Sequence, residues 1–337
     1  MTAGCSRAGM RVGAVFFATM FVTVVAMALS VTAVGGEYNW HLPRGFPEPA
    51  VPADNPMNDT KVALGARLFG DSRLSINGTF SCQSCHAPSR AFTDGRARAR
   101  GVTGATLELN APTLFNVAYN ASLGWTDAGV HSLEQQMRGP LFNEHPRELG
   151  LAGREARLEQ QLGADPQVVA EFSAAFPGEP RPVTMDNVIR AIAAYERTLL
   201  AGGSDFDRYV FGGDHRALDA AQKRGMELFF SPRTGCSTCH GGINFSGPWI
   251  DRDQPSASAI FADTGTGKSV RVPTLRNLSS TAPYLHDGRL ATLDSVLDQY
   301  ERLAADPAAD PRLRRAPLTT EQRADLRHFL LSLDETR

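Results

Sequence analysis

The chain has 337 residues, 42% hydrophobic and 21% charged, which is typical of a globular protein and excludes a disordered chain or a fibre. With 34 basic and 36 acidic residues the formal net charge is -2, so bulk charge indicates neither nucleic-acid binding nor a polybasic membrane surface. The length allows two domains of ordinary size.

Residues 1–36 have the pattern of an export segment. Two arginines, Arg7 and Arg11, precede an almost uninterrupted apolar run over residues 12–34, and small residues follow. This pattern predicts a signal peptide or a single N-terminal anchor. The small residues favour cleavage and the length of the run favours retention, so both remain open. We therefore expect a periplasmic protein, attached to the membrane only if the segment is retained.

Two C-x-x-C-H motifs, at residues 82–86 and 236–240, contain every cysteine after Cys5. This motif attaches c-type haem, because the two thiols form thioethers with the porphyrin and the histidine binds the iron. A zinc site built from four thiolates would leave both histidines unexplained. The motifs predict two covalently bound haem c groups, with their thioether cysteines and proximal ligands at Cys82, Cys85, His86, Cys236, Cys239 and His240.

The sequence around the two motifs also repeats. "LGARLF" precedes the first motif and "RGMELF" the second, "APTLFN" and "VPTLRN" follow, and "SLEQQ" from Ser132 matches "TLDSV" from Thr292. Pro112 and Ser132 are 20 residues apart, and Pro273 and Thr292 are 19 apart. We predict a mainly α fold of two cytochrome c-like haem domains that arose by duplication, with few short strands.

A well-formed helix is predicted within "TMDNVIRAIAAYERTLLAGG". Thr184 can cap its start, a stripe from Val188 to Leu199 is apolar, and Gly202-Gly203 can end it. We place the domain boundary there, which gives an N-terminal domain at 37–202 and a C-terminal domain at 203–337.

The repeat suggests where the second axial position of each iron lies. Eight residues after Thr292 comes Tyr300, and eight residues after Ser132 comes Pro140. Helical spacing alone makes Tyr300 an ordinary core aromatic. If both positions face the open side of their haems, however, the second iron meets a phenol while the first meets a ring that has no donor.

Long runs resemble the bacterial di-haem cytochrome c peroxidases and their MauG-like relatives: "LFGDSRLSINGTFSCQSCH", "AFTDG", "NAPTLFNVAYN", "SLEQQMRGPLFN" and "VRVPTLRNLSSTAPYLHDGRLATL". The resemblance covers the chain from about Val62 to the last helix. By this resemblance, the position of Tyr300 is a methionine that binds the second haem in ordinary peroxidases and a tyrosine in MauG-like enzymes. Ordinary peroxidases also have a histidine in the loop after the first motif, whereas residues 87–110 contain none. Both differences from the ordinary peroxidases favour a MauG-like enzyme.

The resemblance also implies roles for individual residues near the first motif. His86 would be the proximal ligand of an open, peroxide-binding haem, with Gln136 and Glu148 on its open side and Glu148 as the proton donor. Glu144 is the alternative acid, because "NEHPREL" is longer than in ordinary peroxidases. Trp125 would relay electrons between the haems, although it is also a plausible core residue.

A calcium ion and several histidines complete the implied sites. Asn110, Thr281 and Pro283 match family positions that help to hold a structural calcium between the domains. His286 matches a position near the second haem and is a rival axial ligand. Two further histidines lie near the expected open side of the first haem, where they are iron ligands or, more commonly, surface residues: His131 and His145.

Together, these expectations predict a di-haem c-type peroxidase. Hydrogen peroxide would react at the first haem, the His/Tyr-ligated second haem would store or relay oxidising equivalents, and a small redox protein would supply electrons. The alternative is a maturation enzyme that oxidises a tryptophan of a partner protein, since "YNWHLPRGFPEPAVPADNPM" resembles the MbnH-like branch. A non-catalytic di-haem carrier is a further alternative, against which Pro140 and the histidine-free loop argue.

Overall fold

Short helices joined by long turns make up most of the chain, which the computed structural model describes for residues 38–247, 261–313 and 316–335. The predicted signal or anchor at residues 1–36 lies outside these ranges. Within them, no helix combines the length and the apolar character needed to cross a membrane.

The helices and strands confirm a mainly α fold with few short strands. The two strands are antiparallel, with Ala262 opposite Val270. Single 3₁₀ turns include Cys82–Ser84, Val117–Tyr119 and Leu278–Ser280. The helices and strands in chain order are α1 Asp59–Phe69, α2 Leu133–Gln136, α3 Arg138–Phe142, α4 Glu155–Gly163, α5 Pro166–Ala175, α6 Met185–Arg197, α7 Asp205–Val210, α8 Ala220–Phe230, α9 Cys236–Cys239, β1 Phe261–Asp263, β2 Ser269–Arg271, α10 Leu293–Ala305 and α11 Thr320–Leu331.

One helix crossing occurs twice. Helix α1 packs on α6, and α8 packs on α11. A Cβ atom on Gly65 would lie 1.9 Å from the backbone oxygen of Ala191, and a Cβ on Gly225 would lie 2.0 Å from that of Asp325. Both glycines therefore allow two helix backbones to approach more closely than any side chain would permit. The sequence repeat around "LGARLF" and "RGMELF" is thus a structural repeat as well.

Two hydrophobic cores accompany these crossings. The first draws its buried residues from Leu64 to Leu199, and the second from Phe206 to Leu333. The described chain from Tyr38 onward nevertheless packs as one unit. The division into domains near Gly202 therefore stays a prediction.

Helix α6 forms where the sequence predicts but ends earlier. Thr184 caps its start by accepting a hydrogen bond from the backbone of Asn187. The helix ends at Arg197 and not at the predicted Gly202-Gly203, because Asn116 binds the residues that follow. The side-chain amide of Asn116 donates to the Ala201 oxygen at 2.8 Å, and its side-chain oxygen accepts from the Ala201 nitrogen at 2.9 Å. This tertiary contact turns the chain toward its second half.

Candidate cofactor sites

The two C-x-x-C-H motifs adopt the same turn. Each motif begins a short helical turn, at Cys82 and at Cys236. The nitrogen of His86 donates to the Cys82 oxygen at 2.9 Å, and the nitrogen of His240 donates to the Cys236 oxygen at 2.8 Å. Each turn therefore presents its histidine directly after its pair of thiols.

Both imidazoles are oriented by a backbone carbonyl. Nδ1 of His86 lies 3.0 Å from the Phe92 oxygen, and Nδ1 of His240 lies 3.0 Å from the Phe245 oxygen. Both phenylalanines have positive φ, 57° and 49°. An Nδ1–H donated to a carbonyl leaves Nε2 with its lone pair, which is what an iron ligand requires. Burial lowers the pKa of both imidazoles and so favours this neutral form.

A cavity of about 510 Å³ opens beside the second motif. It is lined by Cys236, Cys239 and His240, with Phe229 and Leu297 among its apolar residues. Its volume lies within the range of cofactor sites in proteins. Two thiols, an oriented imidazole and apolar walls fit a haem c.

Tyr300 faces the same cavity from helix α10. Thr292 caps this helix by accepting a hydrogen bond from the backbone of Ser295, so the eight-residue spacing from the cap holds within one helix. Burial raises the pKa of the Tyr300 hydroxyl above its usual value, and the nearby thiols of Cys236 and Cys239 act in the same direction. No described residue forms a hydrogen bond with this hydroxyl. The position agrees with the predicted ligand, whereas ligation itself stays a prediction.

At the first motif, Glu148 lies close to the thiols. The segment after α3 folds back, so that the nitrogen of Leu149 donates to the Pro140 oxygen at 3.0 Å. Burial raises the pKa of the thiols of both Cys82 and Cys85, and the half-buried Glu148 carboxylate adds a smaller increase to each. Burial raises the pKa of Glu148 in turn. The extra residues before Glu148 therefore leave its carboxyl beside the first motif, while the backbone of the next residue bonds to Pro140.

The other candidates around the first motif are more exposed. The Glu144 side chain is 60% exposed and lies 3.6 Å from Arg147, with which it pairs. His145 is exposed, and so is His131, whose Nδ1 lies 3.1 Å from a backbone oxygen. Gln136 is half-buried at the end of α2. These positions favour Glu148 over Glu144 as the acid and agree with a surface role for the two histidines.

Trp125 connects the first half of the chain to the second. Its indole nitrogen donates to the Asn110 oxygen at 3.1 Å, and the guanidinium of Arg271 lies 5.4 Å from its ring centre. The backbone nitrogen of Arg271 also donates to the Trp125 oxygen at 2.8 Å. Sequence reasoning missed Arg271. The repeat contained a signal for it, since Asn110 and Arg271 each stand two residues before the proline of "PTL".

The predicted calcium residues line the cavity beside the second motif. Asn110, Thr281 and Pro283 all contribute to its wall. The Asn110 amide donates to the Arg96 oxygen at 2.7 Å, which leaves its side-chain oxygen for another partner. The described residues contain no cluster of three or more His, Cys, Asp or Glu side chains suited to a metal. A calcium ion here would therefore rest on neutral oxygens, and it stays a prediction.

His286 also lines that cavity and is 4% exposed. Its backbone oxygen accepts a hydrogen bond from the Asn110 nitrogen at 2.7 Å, and its buried Nδ1 has no hydrogen-bond partner within the described part of the chain. His286 thus shares a cavity wall with the second motif, while its predicted place near the second haem stays a prediction. Whether it binds iron stays a prediction.

The known proteins that this chain resembles include both cytochrome c peroxidases and MauG proteins. Residues 59–215 match the family described as di-haem cytochrome c peroxidase. The methylamine utilization protein MauG of Methylorubrum extorquens is 33% identical over 303 residues, which cover 86% of this chain and 82% of that protein. The cytochrome c551 peroxidase of Pseudomonas aeruginosa is 36% identical over 256 residues, which cover 72% of each chain.

Solved structures agree with the fold. A MauG-like protein associated with microbial copper homeostasis superposes with a TM-score of 0.81 at 35% identity, over 88% of this chain and 95% of that one. The diheme peroxidase BthA of Burkholderia thailandensis gives a TM-score of 0.64 at 24% identity, over 87% and 92%, and supports the fold alone. The repeated helix crossing and the paired motifs thus belong to an architecture already seen in solved structures.

Proposed function

Since this chain belongs to the di-haem cytochrome c peroxidase and MauG family, we propose that it carries two covalently bound haem c groups and uses hydrogen peroxide as its oxidant. It is an oxidoreductase of the cytochrome c peroxidase type. When bound, haem iron supplies the redox chemistry. His86 would hold the peroxide-binding haem, and His240 with Tyr300 would hold the haem that stores or relays oxidising equivalents.

The position of Glu148 carries this proposal. A half-buried carboxyl with a raised pKa stands beside Cys82 and Cys85, and the residue that follows it bonds to Pro140, which offers no ligand. Because its pKa is raised, the carboxyl keeps its proton closer to neutral pH and can deliver it to the departing oxygen of peroxide. Such proton transfer contributes about 10²–10⁴-fold to a rate.

Replacing Glu148 by glutamine tests this role. We expect Glu148→Gln to lower the peroxide-dependent rate by about 10²–10⁴-fold, while haem content and the resting electron paramagnetic resonance (EPR) spectrum stay unchanged. Glu144→Gln is the matched control, since it removes an exposed carboxyl from the same segment, and its rate should stay within a few-fold of wild type. If Glu144→Gln lowers the peroxide-dependent rate and Glu148→Gln does not, Glu144 is the proton donor.

Electrons would come from a small redox protein such as a cytochrome or a cupredoxin. The two predicted domains would divide the work, with peroxide chemistry at 37–202 and electron transfer at 203–337. Residues 1–36 would direct the chain to the periplasm. Stopped-flow oxidation of reduced cytochrome c or cupredoxin by peroxide and the purified protein measures this activity directly.

A maturation enzyme that oxidises a tryptophan of a partner protein is the second candidate. It is favoured by the likeness to the MauG-like protein and by Tyr300, which faces the cavity beside the second motif. Mixing peroxide, the purified protein and a candidate partner should then add oxygen mass to a partner tryptophan. Rapid turnover of reduced cytochrome c with an unmodified partner would contradict this candidate. A resting EPR spectrum without a high-spin component would instead support a non-catalytic carrier.

A further inference from the structure

Arg271 is a buried cation that pairs with no carboxylate of the described residues. The residue is 5% exposed, and burial lowers the pKa of its guanidinium to about 10. Among the residues that the structure describes, its Nε has no hydrogen-bond partner, and its one side-chain hydrogen bond is a long one of 3.4 Å from Nη1 to the Val272 oxygen. Among the described residues, no carboxylate forms an ion pair with it. Buried charges in proteins are normally paired, so this guanidinium calls for an anion.

Arg276, five residues later, shows how the same chain satisfies a buried guanidinium. Arg276 is 2% exposed and donates two hydrogen bonds to the carboxylate of Asp207, at 2.7 and 2.8 Å. Its Nε donates to the Ile243 oxygen at 2.7 Å. The comparison makes the missing partner of Arg271 a specific feature of its site and not a general property of buried arginines in this fold.

The surroundings of Arg271 indicate what the anion is. Arg271 lines the cavity that also contains Cys239 and His240. The acidic residue of that lining, Glu301, pairs with Arg323 and not with Arg271. The described residues of this lining thus leave no carboxylate for Arg271, and a group that fills the cavity can supply the negative charge itself. Haem c does so, because it carries two propionate carboxylates.

We propose that Arg271 binds a propionate carboxylate of the haem attached to Cys236 and Cys239. This inference rests on the proposed haem at the second motif. Arginine suits the role, since its planar fork binds carboxylates through two parallel hydrogen bonds and also stacks on aromatic rings. Arg271 is thus a positioning residue that joins the second haem to the face of Trp125.

An experimental structure of the haem-loaded protein tests the contact directly. We expect a propionate oxygen within about 2.7–3.2 Å of Nε or a terminal nitrogen of Arg271. A haem present at Cys236 and Cys239 with both propionates more than about 4 Å from the guanidinium would overturn the inference and leave the proposed function intact. Absence of haem from this motif would instead contradict the proposed function.

Spectroelectrochemical titration of each haem provides a second readout. Removing a nearby positive charge favours the ferric state, so Arg271→Gln should lower the reduction equilibrium constant of the second haem by at least about tenfold, or about 59 mV. Arg271→Lys keeps the charge and should restore most of this loss.

Arg312→Gln is the matched control. It removes a cation from the same cavity, but Arg312 is exposed and already paired with Asp310 at 2.6 Å, so its effect should be much smaller. Equal shifts in Arg271→Gln and Arg312→Gln would overturn the inference. The wild-type structure decides the question even if a variant fails to incorporate haem.

Discussion

The side chain of Tyr300 differs from that of phenylalanine only in its hydroxyl oxygen. Tyr300→Phe keeps the apolar packing of helix α10 and removes only that oxygen. If Tyr300 binds the second iron, the substitution should abolish the low-spin His/Tyr EPR signal, while the first haem's signal is retained. The free energy of unfolding should change by less than about 1 kcal/mol in the haem-free chain, because no described residue binds this hydroxyl.

Tyr284 offers the matched control for this experiment. It lines the same cavity, but its hydroxyl donates a hydrogen bond to the Leu278 oxygen at 2.8 Å. Tyr284→Phe should therefore cost about 0.5–1.5 kcal/mol of stability and leave both EPR signals in place. If Tyr300→Phe behaves like Tyr284→Phe, Tyr300 is a packing residue.

Glu196 is a buried acid that makes stability depend on pH. The residue is 7% exposed on α6, and burial raises its pKa to about 8, with Arg197 opposing the rise and Glu134 adding to it. In the unfolded chain a glutamate titrates near pH 4.3, so between about 4.3 and 8 the folded state binds more protons. The contribution of Glu196 is therefore most favourable at low pH and is lost as the pH rises toward 8.

Glu196→Gln should remove this dependence. Relative to wild type, the variant should gain more than about 1 kcal/mol of unfolding free energy between pH 5 and pH 8. Urea unfolding at both pH values measures the difference. Glu227→Gln, an exposed change on α8, serves as the control and should follow the wild-type curve. Parallel curves for Glu196→Gln and wild type would show that the carboxylate is ionised without penalty in the folded state.

The two glycine crossings determine how closely helices pack in each half. Gly65→Ala and Gly225→Ala each force a methyl group against a backbone oxygen that no rotamer change can move. Each should destabilise the protein by about 1–3 kcal/mol or more, measured by thermal unfolding. Gly163→Ala at the end of α4 is the control, since nothing lies within 4 Å of its added Cβ. It should be neutral or stabilise by up to about 1 kcal/mol. Tolerance of Gly65→Ala would mean that α1 and α6 can separate without cost.

Local sequence predicts where helices start better than where they end. The caps Thr184 and Thr292 are local, because each side chain binds a backbone group three residues later. The end of α6 depends on Asn116, which is distant in sequence, so no local pattern could place it. The repeat marks the position of Arg271, but its surroundings escaped prediction for the same reason. Its charge is visible in the sequence, whereas its burial against Trp125 is a tertiary property.

Asn110 comes from the first half of the chain, and Thr281 and Pro283 come from the second, so a calcium ion held by them would join the two halves. Calcium should then stabilise the folded protein by RT ln(1 + [Ca²⁺]/Kd), or about 2.7 kcal/mol at a concentration one hundred times Kd. Thermal unfolding with added calcium and with a chelator measures this effect. Magnesium at the same concentration should give less, because it demands tighter octahedral geometry. If neither the chelator nor added calcium changes the melting temperature, the predicted calcium site does not exist.

The two bonds that orient the predicted proximal histidines are equal in length, 3.0 Å in each half. The positions eight residues after Ser132 and after Thr292 differ, since the first is Pro140 and the second is Tyr300. If the two halves arose by duplication and both positions face the iron as predicted, the halves have diverged on the open face of each haem site and kept the same attachment face. On that prediction, exchanging Pro140 and Tyr300 between the two halves should change the open face of each haem without altering how the cofactor is attached.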